Sequence, residues 1–128
     1  MTVTITALYA SIFALFLVAA GINVAVHRGK YKITLSDAGH PEMLRMVRIH
    51  GNAAEYLPIG ALLMGLYEVD GGRPLSLHIA GIILILGRLL FTAGLWTTAE
   101  PRFGRVIGMS LTWLTLVGLA VLNLWQIS

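Results

Sequence analysis

The chain has 128 residues, of which 57% are hydrophobic and only 12% are charged, and its formal net charge is +3. Soluble domains contain about 25% charged residues, and a chain this short has too little interior to bury so many apolar side chains in water. The composition therefore excludes a soluble globular protein, and because the nine Lys and Arg residues form no continuous basic stripe, it does not indicate a nucleic-acid partner either.

The first apolar stretch predicts a transmembrane helix over about 5–26, since its 22 residues match the roughly 20 that a bilayer core requires. A secretory signal peptide begins with basic residues, whereas here Arg28, Lys30 and Lys32 follow the apolar stretch. We therefore expect a retained first helix and a basic loop over 27–40.

The second predicted helix, about 41–68, is the most polar. At about 100° per residue, four of its polar side chains fall within about 80° of one another: Arg45, Arg48, Asn52 and Glu55. Glu55 lies about 21 Å along the helix from Pro41, which places it at membrane depth. An ionised side chain that faces lipid there costs about 2.5–3.5 kcal/mol. This polar face is therefore predicted to look inward onto a polar cavity.

The third predicted helix, about 74–96, follows a tight-turn sequence at 70–72, so it forms an antiparallel hairpin with the second. Arg88 lies at membrane depth in this helix and needs a partner. Because Glu55 and Arg88 can reach similar depths, we predict a buried ion pair between them, within the protomer or across a protomer boundary. A structural clamp and a ligand-binding pair are both open interpretations.

The fourth predicted helix, about 104–126, begins with a stripe of small residues at Gly104, Gly108 and Thr112. This stripe is typical of close packing within or between protomers, although glycine is also generally frequent in membrane helices. Four short helices enclose little volume, so we expect a homo-oligomer. The predicted fold is all-α: an integral membrane, antiparallel four-helix bundle in a single domain over 1–128.

The basic residues predict the orientation of the bundle. Most of the loop Lys and Arg residues lie in the first and third loops, whereas the second loop holds only Arg73. The first and third loops are therefore predicted to be cytoplasmic, with both termini outside. The four histidines show no metal-ligand spacing and the chain has no cysteine, so no metal site is expected.

The second helix carries the pattern Arg48-x-x-x-Asn52-x-x-Glu55-Tyr-x-Pro58. This pattern resembles the signature of the MAPEG family, the membrane-associated proteins in eicosanoid and glutathione metabolism. The resemblance extends over nearly the whole chain and is greatest to the bacterial branch. It implies a homotrimer in the bacterial inner membrane, with glutathione bound between neighbouring protomers near the cytoplasmic side.

The resemblance also implies roles for six residues. The expected glutathione-binding residues are Arg28, Arg48, Asn52, Glu55 and Arg88. Arg105 matches the arginine that is proposed to stabilise the glutathione thiolate, and it is the predicted catalytic residue. Glutathione carries two carboxylates and one ammonium, so several arginines and one carboxylate suit it. A cation at a helix N-terminus also lowers the pKa of a bound thiol.

Four positions depart from the best-studied animal enzymes of this family. Gly51 replaces an arginine, Phe91 and Leu95 replace polar or tyrosine side chains, and Met109 lacks a hydroxyl.

Three functional hypotheses follow. The first is a glutathione-dependent membrane enzyme, of transferase or peroxidase type, acting on a lipophilic electrophile that enters from the lipid. The second is a non-catalytic glutathione-binding or scaffold protein, which the four departures favour. The third is a small proton-coupled exporter, a class that needs an unpaired glutamate, whereas Glu55 has arginines near it.

Overall fold

The computed structural model describes residues 2–100 and 102–128, and in this part of the chain the backbone forms four helices. They are α1 (Thr4–Tyr31), α2 (Pro41–Val69), α3 (Pro74–Trp96) and α4 (Phe103–Gln126). Helices α1, α3 and α4 are each long and apolar enough to cross a membrane. Helix α2 has 29 residues, but its polar face makes it less apolar than the others. The predicted all-α membrane bundle is confirmed.

The helix ends follow from local sequence chemistry. Pro41 and Pro74 occupy first turns, where a missing N–H leaves no hydrogen bond unmade. The predicted end of the first helix at Val26 is wrong, because α1 continues to Tyr31. Its last turn is rich in basic side chains, which the negative end of the helix dipole favours, and Lys32 closes it in the left-handed conformation with φ 55°.

Contacts between helix ends show that consecutive helices run in opposite directions. The carboxylate of Glu68, at the end of α2, accepts the backbone N–H groups of Ile5 and Thr6 at 2.9 and 2.7 Å. At the other end of the bundle, Arg45 Nε donates to the carbonyl of Trp96 at 3.3 Å. The loops after α1 and α3 therefore share one end, called here the basic end, and the loop after α2 lies at the opposite end.

Helices α3 and α4 pack with their backbones in contact. A Cβ atom at Gly108 would lie 2.5 Å from the carbonyl oxygen of Gly87, and one at Gly94 would lie 2.3 Å from the backbone nitrogen of Arg105. The small-residue stripe of α4 is thus a packing seam within the protomer. This seam fixes the first turn of α4 against the last turn of α3.

The protomer interior contains two apolar clusters. One lies toward the basic end and includes Met43, Met46 and Phe91, and the larger one fills the opposite half. A buried polar group made of Asn52, Arg88 and Thr112 contributes to the interior as well. This polar group forms the inner boundary of the site described next.

Candidate functional site

A cavity of about 780 Å³ opens between α2, α3 and α4 toward the basic end. Its polar lining comes mainly from α2 and includes Arg45, Arg48, Asn52, Glu55, Tyr56, Arg105 and Ser110. Its apolar lining comes mainly from α3 and α4 and includes Leu44, Phe91, Leu95, Val106, Met109 and Trp113. The cavity thus joins a charged wall to an apolar wall.

The helical periodicity of α2 brings the four polar side chains predicted to share a face onto one wall of the cavity. Within this wall, Arg48 Nη1 and Nη2 lie 3.2 and 3.4 Å from the two carboxylate oxygens of Glu55. The two side chains are 47% and 52% exposed on the protomer surface. They form the open rim of the cavity.

The predicted ion pair between Glu55 and Arg88 is wrong for the protomer. Glu55 pairs with Arg48 on the rim, whereas Arg88 is only 2% exposed and lies behind the cavity wall. The two helices do bring both residues to the same half of the bundle, but the side chains point to different surroundings. Sequence spacing gave the depth of each charge and not its direction.

Arg88 is held by neutral acceptors from two other helices. Its Nη1 donates to Asn52 Oδ1 on α2, and its Nη2 donates to Thr112 Oγ1 on α4 at 2.7 Å. Thr112 in turn donates to the carbonyl of Gly108 at 2.9 Å. This network ties α2, α3 and α4 together and orients Asn52 at the inner wall of the cavity.

Arg105 lies in the first turn of α4 and lines the cavity mouth. Its Nη1 donates to the carbonyl of Ala99 at 2.8 Å, a neutral partner. The backbone N–H groups of a first helical turn are not used within the helix, so positive potential from the backbone adds to that of the guanidinium. An anion in the mouth would meet both.

Arg28 does not line this cavity. Its Nη1 donates instead to the carbonyl of Ser36, in the loop after α1, at 2.7 Å. Of the six predicted site residues, the cavity therefore brings together Arg48, Asn52, Glu55 and Arg105, and Arg88 supports its wall.

Several cavity residues have no site role predicted from the sequence, notably Tyr56 and Trp113. Thr112 is predicted only as a packing residue, although its hydroxyl is a partner of Arg88. The available signal was its position one turn after Gly108 and opposite Arg88. That position gives proximity, but the rotamer that turns the hydroxyl toward the guanidinium depends on packing.

The charges of the cavity favour an anionic ligand. The lining contains one carboxylate, Glu55, which is already paired with Arg48. It contains three arginines, namely Arg45, Arg48 and Arg105. The opposite wall offers aromatic and aliphatic surface to a second, lipophilic molecule. In the described residues, no group of three or more His, Cys, Asp or Glu side chains could hold a metal ion.

Comparison with known proteins gives consistent matches. The model of the MAPEG family matches residues 6–125. Inner membrane protein YecN of Escherichia coli strain K12 is 39% identical over 121 residues, which cover 94% of this chain and 91% of that protein. The protein sll1147 of Synechocystis is 32% identical over 111 residues, covering 83% of this chain and 78% of that protein.

Proposed function

Since this chain belongs to the MAPEG family, we propose that it is a glutathione-dependent membrane enzyme of transferase or peroxidase type. Glutathione would occupy the cavity between α2, α3 and α4 as co-substrate. A lipophilic electrophile would reach it from the bilayer along the apolar wall.

The excess of cationic side chains in the cavity carries this proposal. Glutathione has two carboxylates and one ammonium, so it needs at least two cations and one carboxylate in reach. The cavity wall has Arg45 and Arg105 without a carboxylate partner among the described residues, and Glu55 on the rim for the ammonium. Asn52 supplies an amide for the peptide backbone of the ligand.

Arg105 is the proposed catalytic residue. Its guanidinium at the start of α4 would stabilise the thiolate of glutathione over the thiol, which raises the concentration of the nucleophile. Nothing in the cavity selects between attack on an electrophilic carbon and attack on a peroxide oxygen. Both reactions begin with the same thiolate.

Two measurements on the detergent-purified protein test the proposal. Calorimetry should detect glutathione binding, and stopped-flow ultraviolet absorbance should detect thiolate formation when glutathione is added. The thiolate signal should vanish in Arg105→Ala and be largely kept in Arg105→Lys, while Arg73→Ala, outside the cavity, should match the wild type. An equal thiolate signal in Arg105→Ala would refute the catalytic role.

A second candidate function, glutathione binding without catalysis, is favoured by one observation. The cavity wall near Arg105, where the thiol would bind, has few side chains that could donate a hydrogen bond to it. Apolar side chains stand there instead, namely Phe91, Leu95 and Met109. A glutathione-dependent rise in melting temperature, with neither a thiolate signal nor turnover of a model electrophile or hydroperoxide, would identify this function.

The distribution of basic residues also supports an orientation of the bundle across the inner membrane. The relative YecN is named as an inner membrane protein. The loops at the basic end would be cytoplasmic and both termini outside. Alkaline phosphatase fused after Ser128 should then be active, and green fluorescent protein fused there should be dark. The reverse pattern would overturn this orientation.

A further inference from the structure

Met109 lines the cavity, and its thioether sulfur lies close to two N–H donors. Its sulfur is 3.6 Å from Asn52 Nδ2 and 3.9 Å from Arg88 Nη2, so two N–H donors approach one thioether. A thioether accepts hydrogen bonds only weakly. An oxygen atom on this sulfur would be a much stronger acceptor for the same donors.

Met109 also differs from other methionines in its access to the cavity. Met43, Met46 and Met64 are 0%, 1% and 0% exposed. Met109 is only partly buried and lines an open cavity of about 780 Å³. Because methionine oxidation depends on exposure, Met109 is the one of these four methionines that a peroxide in the cavity can contact.

We propose that Met109 is a site of reversible oxidation by hydroperoxides that enter the cavity. The sulfur attacks the terminal oxygen of the hydroperoxide, a sulfur–oxygen bond forms, and the oxygen–oxygen bond breaks. The departing alkoxide takes up the proton that the transferred oxygen carried and leaves as an alcohol. The sulfur loses two electrons and the peroxide gains two, so the products are methionine sulfoxide and the alcohol.

Oxidation at this position would change the cavity wall. The sulfoxide oxygen engages the amide N–H of Asn52 and competes with the ligand for it. This consequence rests on the proposed function, in which Asn52 contacts glutathione. The loss of one hydrogen bond corresponds to an affinity about three- to tenfold weaker.

Peptide mass mapping tests the site directly. The purified protein is treated with tert-butyl hydroperoxide in the absence of glutathione, and oxygen addition is followed at each methionine. Met109 should be oxidised about tenfold faster than Met43, Met46 or Met64. Equal rates at the four positions would overturn the proposal.

Calorimetry before and after oxidation tests the consequence. Peroxide should weaken glutathione binding in the wild type, leave it unchanged in Met109→Leu, and methionine sulfoxide reductases should restore it. A similar loss in both proteins would refute a role for Met109. If glutathione does not bind even before treatment, the proposed function fails, while the mass map still decides whether Met109 is the preferred oxidation site.

Discussion

At the residue scale, Arg88 is a buried cation whose guanidinium is held by neutral groups. Its Nη atoms donate to Asn52 and Thr112, and its Nε has no hydrogen-bond partner within the described residues. Desolvation of a charged group is expensive unless its hydrogen bonds are made. Each acceptor around Arg88 should therefore matter more than an ordinary surface contact.

Replacement of Asn52 tests this dependence. Asn52→Leu removes the acceptor of Arg88 Nη1 and should destabilise the protein by about 1–3 kcal/mol, because a buried charged donor is left unsatisfied. Asn52→Asp keeps the acceptor and adds a counter-charge, so it should restore most of the stability. Thermal unfolding in detergent, followed by circular dichroism, provides the measurement. Equal melting temperatures for Asn52→Leu and the wild type would contradict the proposed network.

The two residues of this contact show what could be predicted from sequence. The shared face of α2 follows from helical periodicity, so the position of Asn52 on the cavity wall was predictable. The partner of Arg88 could not be predicted, because Glu55 and Asn52 lie at neighbouring depths on the same face of α2. Only the direction of each side chain decides that Glu55 points to the rim and Asn52 to the interior.

At the element scale, α4 is positioned by the glycine seam with α3. Gly108→Ala places a methyl group 2.5 Å from the carbonyl oxygen of Gly87, which forces the helices apart. We expect a loss of about 1–3 kcal/mol, typical of overpacking, and weaker glutathione binding as Arg105 moves. Gly118→Ala is the matched control, because its Cβ would meet nothing within 4 Å. If Gly108→Ala and Gly118→Ala have equal melting temperatures, the seam does not determine the position of α4.

Helix α1 is attached at the opposite end by the carboxylate of Glu68. This carboxylate accepts the N–H groups of Ile5 and Thr6 and so caps the first turn of α1 from another helix. Glu68→Ala should cost about 0.5–2 kcal/mol, as for the loss of an N-cap. Hydrogen exchange should speed up in the first turn of α1, while Glu100→Ala, an exposed residue, should leave it unchanged. Unchanged protection in Glu68→Ala would show that the cap contributes nothing.

The helices themselves were more predictable than their ends. Apolar length and the prolines at 41 and 74 predict the starts of α2 and α3, since proline favours a first turn. Apolar length gave too early an end for α1, because a membrane helix can continue past the apolar core with polar residues. The capping of α1 by Glu68 joins residues more than sixty positions apart, which no local pattern contains.

At the scale of the whole molecule, the rim of the cavity poses an energetic problem for a single protomer. Glu55, which is predicted to lie at membrane depth, pairs with Arg48, and about half of each side chain is exposed on the protomer surface. Charged groups that face lipid cost several kcal/mol. A neighbouring protomer that covers this rim would remove the cost and complete the cavity. The exposed pair therefore favours an oligomer, and the family resemblance implies that this oligomer is a trimer.

Assembly of the oligomer should therefore depend on whether each charged side chain of the rim, Arg48 or Glu55, keeps a partner of opposite charge. If a neighbouring protomer covers the rim, Glu55→Ala leaves Arg48 unpaired beneath it, and breaking a buried pair in this way costs about 3–5 kcal/mol. The double variant Arg48→Leu with Glu55→Leu leaves no charge unpaired, so it should assemble better than the single variant although it should lose the proposed glutathione binding. Native mass spectrometry in mild detergent should give a trimer for the wild type and for Arg73→Ala, a charge in the loop after α2. A monomeric wild type, or a Glu55→Ala variant as fully assembled as the double variant, would mean that lipid or detergent faces the rim and that a single protomer forms the whole site.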